Sequence, residues 1–392
     1  MLPYICFYSV LLVISLLYRI DRKFLFFFFL TFTLFYSFAI NIGPDWNAYK
    51  QYFEHMADLD NFFKYKTELP SKEARFEILF HIITFILTRL TSSYHFLIFF
   101  FNTFSFIIYY KGFRKIAGKD ALIIFTFFII FYGNRLFVST IRQNLSVCFF
   151  YYALISYEYD HNKKWFLYGV ISYLFHATGA LTFVVILFLK FFDLRKLKVL
   201  TGLSFATGIC GIQIGIIIGT IVTTFLASVT SPIIARLVIG FMHNSVVNVR
   251  DTLSILQFLF IWPLSFFIQK NEKFDYKLCF VLIFFSFLFK FQFSNIGILM
   301  SRLRYNLGLG FILFIYYFVR QNNKVFSAYL LVILYSFALS CYSILVIKED
   351  KFDYIPYENV LEYSIKSDCY DKYFDYERHF KSNNMRRNLS AN

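Results

Sequence analysis

The stretch FLFFFFLTFTLFYSFAI at residues 24–40 decides the fold class of this chain. It carries no charge, and its apolar side chains do not alternate with polar ones as they would in a membrane-spanning β-strand. The sequence NIGPDWNAYKQYF follows at residues 41–53 and brings polar and aromatic residues together. This pattern predicts an apolar helix that ends at a membrane boundary, next to a segment whose polar residues need their own explanation.

The composition of the whole chain indicates a membrane protein. Of its 392 residues, 58% are hydrophobic and 16% are charged, whereas soluble proteins carry about a quarter charged residues. Apolar runs of about 18 residues or more, which soluble domains rarely contain, recur along the sequence. We therefore predict an all-α, polytopic helical membrane protein with about 10–12 transmembrane helices.

The apolar runs give the candidate membrane spans, each of which needs about 20 apolar residues. These are 2–18, 24–40, 94–110, 121–138, 143–157, 165–192, 199–228, 252–269, 278–292, 303–319 and 325–347. The run 2–18 lacks the basic start and cleavage site of a signal peptide, so we interpret it as a span. The segment 76–90 carries Glu77, His81 and Arg89, and we expect it to be interfacial or re-entrant.

Short basic loops predict the orientation, because cytoplasmic loops are rich in Lys and Arg. With these loops on one face, the segments 41–75 and 229–250 become periplasmic loops. The domain organisation is then a transmembrane domain over 1–347, followed by a polar C-terminal tail over 348–392.

The run 165–192 lies between two basic loops, 161–164 and 190–198. These loops share a face only if the run crosses the membrane twice. It is therefore either two half-helices that meet at the polar break FHATG (175–179) or one long tilted helix with one loop that violates the charge rule.

Charge and cysteine content exclude several classes of function. The net charge of +15 is explained by basic loops rather than by nucleic-acid binding, since no Arg-rich patch is interleaved with exposed aromatic residues. The six cysteines form no CxxC pair, and no nucleotide-binding or metalloenzyme motif is present. We expect no metal and no cofactor.

The first candidate site residues are Asp45 and Tyr49 in the opening polar segment. A purely structural interpretation makes Asp45 a helix N-cap and Tyr49 an interfacial aromatic residue. Arg142 and Gln143 begin a later apolar helix. Arg142 either snorkels to the headgroups or forms an anion site beside the helix N-terminus.

Polar residues in three further segments add to this set. His176 lies in the FHATG break, where it is either a hydrogen-bonded core residue or a base. Arg302 and Arg304 precede Tyr305 at the expected outer end of a span, and together with Arg142 the two arginines could clamp a pyrophosphate. Tyr357 in YIPYENVLEY offers an aromatic platform for sugar or a structural hook.

In this order, the motifs GPDWNAY, IRQNLSV, FHATG, SRLRYNL and IPYENVL resemble the EpsG / O-antigen polymerase (Wzy) family of polysaccharide polymerases. The resemblance covers about residues 24–360. Members often carry an arginine just before the G-x-D motif, where this chain reads FAINIG. One anion contact that the family pattern implies is therefore lacking here or supplied elsewhere.

The resemblance implies a glycosyltransferase-C-like enzyme in the bacterial inner membrane, with its active site facing the periplasm. Such an enzyme joins undecaprenyl-diphosphate-linked oligosaccharide repeats into O-antigen or a related surface polysaccharide and releases the lipid diphosphate. Its partners would be this lipid-linked substrate, the bilayer and a chain-length regulator, with no nucleic acid. Other proteins of the same pathway remain alternatives: an O-antigen ligase, a repeat-unit flippase or a glycan acyltransferase.

The resemblance also implies roles for the candidate residues. The arginines would stabilise the departing diphosphate, with Arg142 in the catalytic set, and either Asp45 or His176 would accept the proton of the acceptor hydroxyl. Substrate-binding residues would be Gly43, Tyr49, Gln143, Arg302, Arg304, Tyr305 and Tyr357.

Overall fold

The computed structural model describes residues 2–40, 45–56, 67–69, 72–74, 77–210, 258–259, 261–263, 276–292, 302–303, 305–321 and 358–359. Within these residues the protein is an all-α helical membrane protein with two short strand pairs. The predicted span 325–347 and the loop 229–250 lie outside the described residues, as do most of the span 252–269 and most of the C-terminal tail.

The helices of the first half include most of the predicted spans in that region. They are α1 (Leu2–Tyr18), α2 (Phe24–Tyr36), α3 (Trp46–His55), α4 (Ile78–Leu90), α5 (Tyr94–Ala117) and α6 (Ala121–Phe128). The helices that follow are α7 (Ile141–Asp160), α8 (Lys164–Phe175), α9 (Leu181–Phe191), α10 (Leu194–Ile209), α11 (Tyr276–Gln292) and α12 (Leu309–Gln321). The strands are β1 (Ala39–Ile40), β2 (Thr67–Leu69), β3 (Lys72–Ala74) and β4 (Glu358–Asn359).

Helix α5 shows how long a helix of this bundle can be. Its 24 residues correspond to about 36 Å, enough to cross the hydrocarbon core of a bilayer. Among the described residues, the run Tyr94–Gly133 has the length and composition of a membrane span. Gly118 divides this run, because its φ of 57° is left-handed and ends α5.

Helix α7 forms the centre of the bundle. From Ile141 to Ser156 every residue is buried except Arg142 and Tyr152, which are half-buried. A helix enclosed on all sides needs partners for its polar residues. Accordingly, Asn144 donates through Nδ2 to Ser105 Oγ at 3.1 Å on α5. The neighbouring helices thus fix both the position and the rotation of α7.

The chain enters α7 through two π-helical segments, Ile129–Gly133 and Arg135–Ser139. Asn134 between them accepts hydrogen bonds from the hydroxyls of Tyr8 at 2.8 Å and Tyr36 at 3.2 Å. These bonds tie the irregular segment to α1 and α2. Such π segments often lie at functional sites, and this one directly precedes the half-buried Arg142.

The run 165–192 is two helices, as one of the two sequence interpretations predicted. Helices α8 and α9 are separated by His176 and a 3-10 turn at Ala177–Ala180. Gly179 makes the turn possible, since a Cβ at this residue would lie 2.3 Å from the carbonyl carbon of Ser172. With 12 and 11 residues, each helix is about 17 Å long and is too short to cross a bilayer alone.

The opening stretch ends earlier than the predicted span 24–40. Helix α2 stops at Tyr36, and β1 pairs antiparallel with β4, with Ala39 opposite Asn359 and Ile40 opposite Glu358. Residues 358–359 therefore lie beside the segment that leads into GPDWNAY.

Candidate active site

The candidate site lies at the N-terminus of α7 and is centred on Arg142. The guanidinium donates through Nε to the Tyr49 hydroxyl at 3.1 Å and forms an ion pair through Nη1 with Glu77 Oε2. The Arg142 and Glu77 side chains are only 18% and 24% exposed. The arginine therefore does not extend freely to the headgroups, because residues from two other segments hold it in place.

Tyr49 reaches Arg142 because α3 is fixed by aromatic packing. Tyr49 meets Phe80 of α4 edge-on at 5.7 Å, and Tyr52 stacks on the same ring at 6.1 Å. Phe80 in turn stacks on Phe101 of α5 at 5.4 Å. Burial raises the pKa of Tyr49, so its hydroxyl stays protonated and accepts the hydrogen bond of Arg142 as a neutral group.

A second arginine is attached to the same turn of α7. The Gln143 side chain donates through Nε2 to the backbone oxygen of Arg302, and its Oε1 accepts from Arg302 Nη1 at 3.5 Å. Gln143 is buried, so its amide fixes the backbone and the guanidinium of Arg302 together. Within the described residues, Arg302 has no carboxylate partner.

Asp45 precedes α3 at the N-cap position, but its side chain makes no capping hydrogen bond. Within the described part of the chain its carboxylate has no hydrogen-bond or ion-pair partner. Burial raises the pKa of Asp45 above the ordinary 3.8, while the positive charges of Arg302 and Arg142 lower it. The carboxylate is thus held near both arginines without being bound by either.

His176 lies at the break between α8 and α9, close to the first turns of α7. Its backbone oxygen accepts a hydrogen bond from Ser146 Oγ at 3.4 Å, one helical turn beyond Arg142. The Thr178 backbone N–H donates to His176 Nδ1 at 3.2 Å. A neutral ring in this arrangement carries its proton on Nε2.

The remaining predicted site residues divide into two groups. Tyr305 is buried, with its ring 6.0 Å from that of Tyr132 and its backbone oxygen bonded to the Tyr151 hydroxyl. Gly43, Arg304 and Tyr357 lie outside the described residues, so their roles stay predictions.

Sequence reasoning missed Glu77 as a site residue. Glu77 was noted in the sequence only because a charge is unusual in the apolar segment 76–90. That same fact was the available signal, since a carboxylate at the edge of an apolar helix needs a cation such as Arg142. Among the described residues, no group of three or more His, Cys, Asp and Glu side chains has an arrangement that could hold a metal ion.

Two arginines, a carboxylate and an imidazole therefore lie together at one end of the central helix of a helical membrane protein. The sequence model of the EpsG family matches residues 22–359. The chain therefore belongs to the EpsG family, as its motifs indicated, and is a polymerase-type membrane protein of polysaccharide biosynthesis that uses lipid-linked sugar. No curated protein and no solved structure gives a significant match.

Proposed function

We propose that this protein polymerises undecaprenyl-diphosphate-linked oligosaccharide repeats into O-antigen or a related surface polysaccharide at the periplasmic face of the inner membrane. The observation that carries the proposal is the convergence of Asp45, His176, Arg142 and Arg302 from four separate segments. In the described part of the chain, Asp45 and Arg302 interact electrostatically but form no ion pair with each other or with another residue, which suits a site that awaits an ionic substrate.

The arginines supply the charge stabilisation that the reaction needs. When the bond between the anomeric carbon and the diphosphate oxygen breaks, both electrons stay on that oxygen and negative charge develops there. Arg142 is preorganised by Tyr49 and Glu77, and Arg302 by Gln143. Donors that are already oriented need no reorganisation when the charge develops, and guanidinium groups match phosphate oxygens well.

The geometry favours Asp45 as the base. The acceptor hydroxyl attacks the anomeric carbon of the growing chain, and its proton must pass to a group with a free lone pair. The Asp45 carboxylate has no partner among the described residues, whereas Nδ1 of His176 already accepts from Thr178. His176 therefore serves better as a donor, through Nε2–H, to a phosphate or sugar oxygen.

The test is the product pattern of Arg142→Ala in cells that lack the native gene. We expect long polymer to disappear and lipid-linked single repeats to accumulate at the periplasmic face, because the departing diphosphate loses one of the two guanidinium groups that stabilise it. Arg89→Ala is a matched control, since Arg89 is exposed and stacks on Phe85 outside the site. Polymer of normal length from Arg142→Ala, at a normal amount of protein, would contradict the proposal.

The position of the accumulated repeats distinguishes the alternatives. Loss of a flippase would leave single repeats on the cytoplasmic leaflet, and loss of a ligase would leave finished polymer on its lipid. Accumulation of single repeats on the periplasmic leaflet is expected only when polymerisation itself fails.

A further inference from the structure

A second polar region lies at the opposite end of α5 from the candidate active site. Tyr94 at the start of α5 donates to the backbone oxygen of Trp46, next to the site. Arg114 lies 20 residues further along this helix, about 30 Å away. The two regions are therefore separated by about the thickness of a bilayer core.

The first feature of this region is a cavity of about 420 Å³ with a basic lining. Its cations come from three segments: Arg19 and Arg22 after α1, Arg114 on α5, and Lys119 in the turn that follows. Ordinary basic loops would place positive charge on this face of the membrane protein, but their side chains would not need to line a single cavity. Here the cations of separate segments line the same cavity, and like charges so placed repel one another unless an anion lies between them.

Nearby acidic residues neutralise little of this charge. Asp120 pairs with Arg19, with 2.9 Å between Oδ1 and Nε, and its other oxygen accepts from Tyr316 at 3.2 Å. Within the described residues, the side chains of Arg22, Arg114 and Lys119 form no hydrogen bond or ion pair. The cavity therefore retains a net positive charge that a phosphate group would neutralise.

The second feature is an adjoining groove of about 700 Å³ that changes from basic to apolar along its lining. Its basic part contains Lys111 and Arg114, while Leu25, Phe106 and Ile107 form an apolar part. Lys115 also lines the groove, but it is paired with Asp160. An apolar wall of this kind fits a hydrocarbon chain and not a free phosphate ion.

The cavity and the groove are contiguous. Arg114 lines both of them. Tyr18 lines the cavity and Tyr110 lines the groove, and their hydroxyls are 2.7 Å apart in a hydrogen bond. A ligand with an anionic head and an apolar tail attached to it can therefore occupy both at once.

We propose that this region is a binding site for an anionic phospholipid of the bilayer. The phosphate of the headgroup lies in the basic cavity against Arg22, Arg114 and Lys119, and one acyl chain lies along Leu25, Phe106 and Ile107. Basic pockets between transmembrane helices bind anionic headgroups in this way. The site is independent of the proposed polymerase chemistry, because it lies at the other end of α5.

The test compares lipid retention by the purified full-length protein and its variants. The protein is placed in nanodiscs that contain phosphatidylglycerol in a phosphatidylcholine background, and the lipids that remain bound after detergent extraction are measured by native mass spectrometry. We expect the wild type to retain phosphatidylglycerol selectively. Arg114→Gln should reduce this selectivity about fivefold, as expected for one cation near a membrane surface.

Three further variants are measured in the same way. Lys119→Gln should reduce the selectivity in the same direction, which excludes a folding defect peculiar to one variant. Arg195→Gln removes an exposed positive charge outside the cavity and the groove and should leave the selectivity unchanged. Ile107→Glu places a carboxylate in the apolar part of the groove and should release the lipid.

Several results would overturn the proposal. One is equal retention of phosphatidylglycerol and phosphatidylcholine by the wild type. A second is an effect of Arg195→Gln as large as that of Arg114→Gln, which would mean that only general surface charge matters. A third is complete displacement of the lipid by millimolar inorganic phosphate, which would make the cavity a site for free phosphate.

Discussion

At the residue scale, the unexpected feature of the site is that a carboxylate holds the central arginine. The ion pair between Glu77 and Arg142 removes part of the positive charge that a diphosphate would need in the proposed reaction. In return it orients the guanidinium, whose Nε is bonded to Tyr49. We therefore regard Glu77 as a positioning residue and not as a competitor of the substrate.

Glu77→Gln tests this role. The amide keeps the shape of the side chain but removes its charge, so the orientation of Arg142 should weaken and polymerisation should fall about tenfold. Removing the negative charge leaves the partly buried guanidinium of Arg142 without its ionic partner, which should also cost about 1–3 kcal/mol of stability. The measurements are polymer yield and thermal unfolding of the purified protein.

The control for Glu77→Gln is Glu54→Gln, because Glu54 is 59% exposed and pairs with Lys50 at the surface. This control should change neither polymer yield nor stability by a measurable amount. Higher activity in Glu77→Gln than in the wild type would show that Glu77 restrains Arg142 instead of orienting it.

The pH dependence of activity tests Asp45 as the base. Burial raises the pKa of Asp45 above 3.8, and a base must be deprotonated, so activity should fall as the pH drops through this raised pKa. Arg302 lowers the pKa of Asp45. Removing its charge in Arg302→Gln should therefore move the acidic limb of residual activity to higher pH.

The measurement for Asp45 is the rate of polymerisation in proteoliposomes between mildly acidic and neutral pH. Asp45→Asn should abolish the activity, because the amide cannot accept the proton. If the acidic limb of Arg302→Gln coincides with that of the wild type, then a group other than Asp45 controls it.

Sequence alone could propose these residues but not their contacts. Arg142 and His176 stand out because ionisable side chains are unusual in apolar segments. The pairing of Arg142 with Glu77 and of Gln143 with Arg302 joins residues that are 65 and 159 positions apart. Such pairings depend on how the helices pack, and no local pattern in the sequence determines them.

At the element scale, the break between α8 and α9 is the feature that sequence predicted best. The charge of the flanking loops and the polar FHATG indicated a turn there as one of two interpretations, the other being one long tilted helix. What sequence could not give is the close approach at Gly179, which depends on the path of the backbone. The span 24–40, in contrast, was predicted too long. The helix ends at Tyr36, and residues 39–40 form β1, which pairs with β4.

Gly179→Ala tests the importance of this break. The added Cβ would lie 2.3 Å from the carbonyl carbon of Ser172. Backbone atoms cannot move away from such a clash as the end of a flexible side chain can. We expect the turn to open and His176 to move away from Ser146, with loss of polymer and a lower unfolding temperature.

Gly112→Ala is the matched control for this substitution. Its added Cβ would lie 3.0 Å from Ile155 Cδ1, the end of a side chain that can move. It should cost far less stability than Gly179→Ala. Equal effects of the two substitutions would mean that any added methyl group disturbs this bundle, and that the turn has no special role.

At the scale of the whole molecule, β4 brings the C-terminal part of the chain to the segment that precedes the site. Residues 358–359 pair with 39–40, so these two residues of the predicted polar tail contact the segment that follows α2. The family match, which extends to residue 359, includes this pairing. Residues 358–359 of the tail and the residues just before the opening motif therefore pack together.

The orientation of the molecule in the membrane follows from the two ends of α7. Helix α7 begins at Ile141 beside the candidate site, and its 20 residues, about 30 Å in length, end at Asp160. The basic residues Lys163 and Lys164 follow this end, which predicts that it faces the cytoplasm. An alkaline phosphatase reporter, which is active only in the periplasm, should therefore be active when fused after Lys50 and inactive after Lys163. Activity at Lys163 with none at Lys50 would invert the topology and place the site on the cytoplasmic face, where translocated lipid-linked repeats could not reach it.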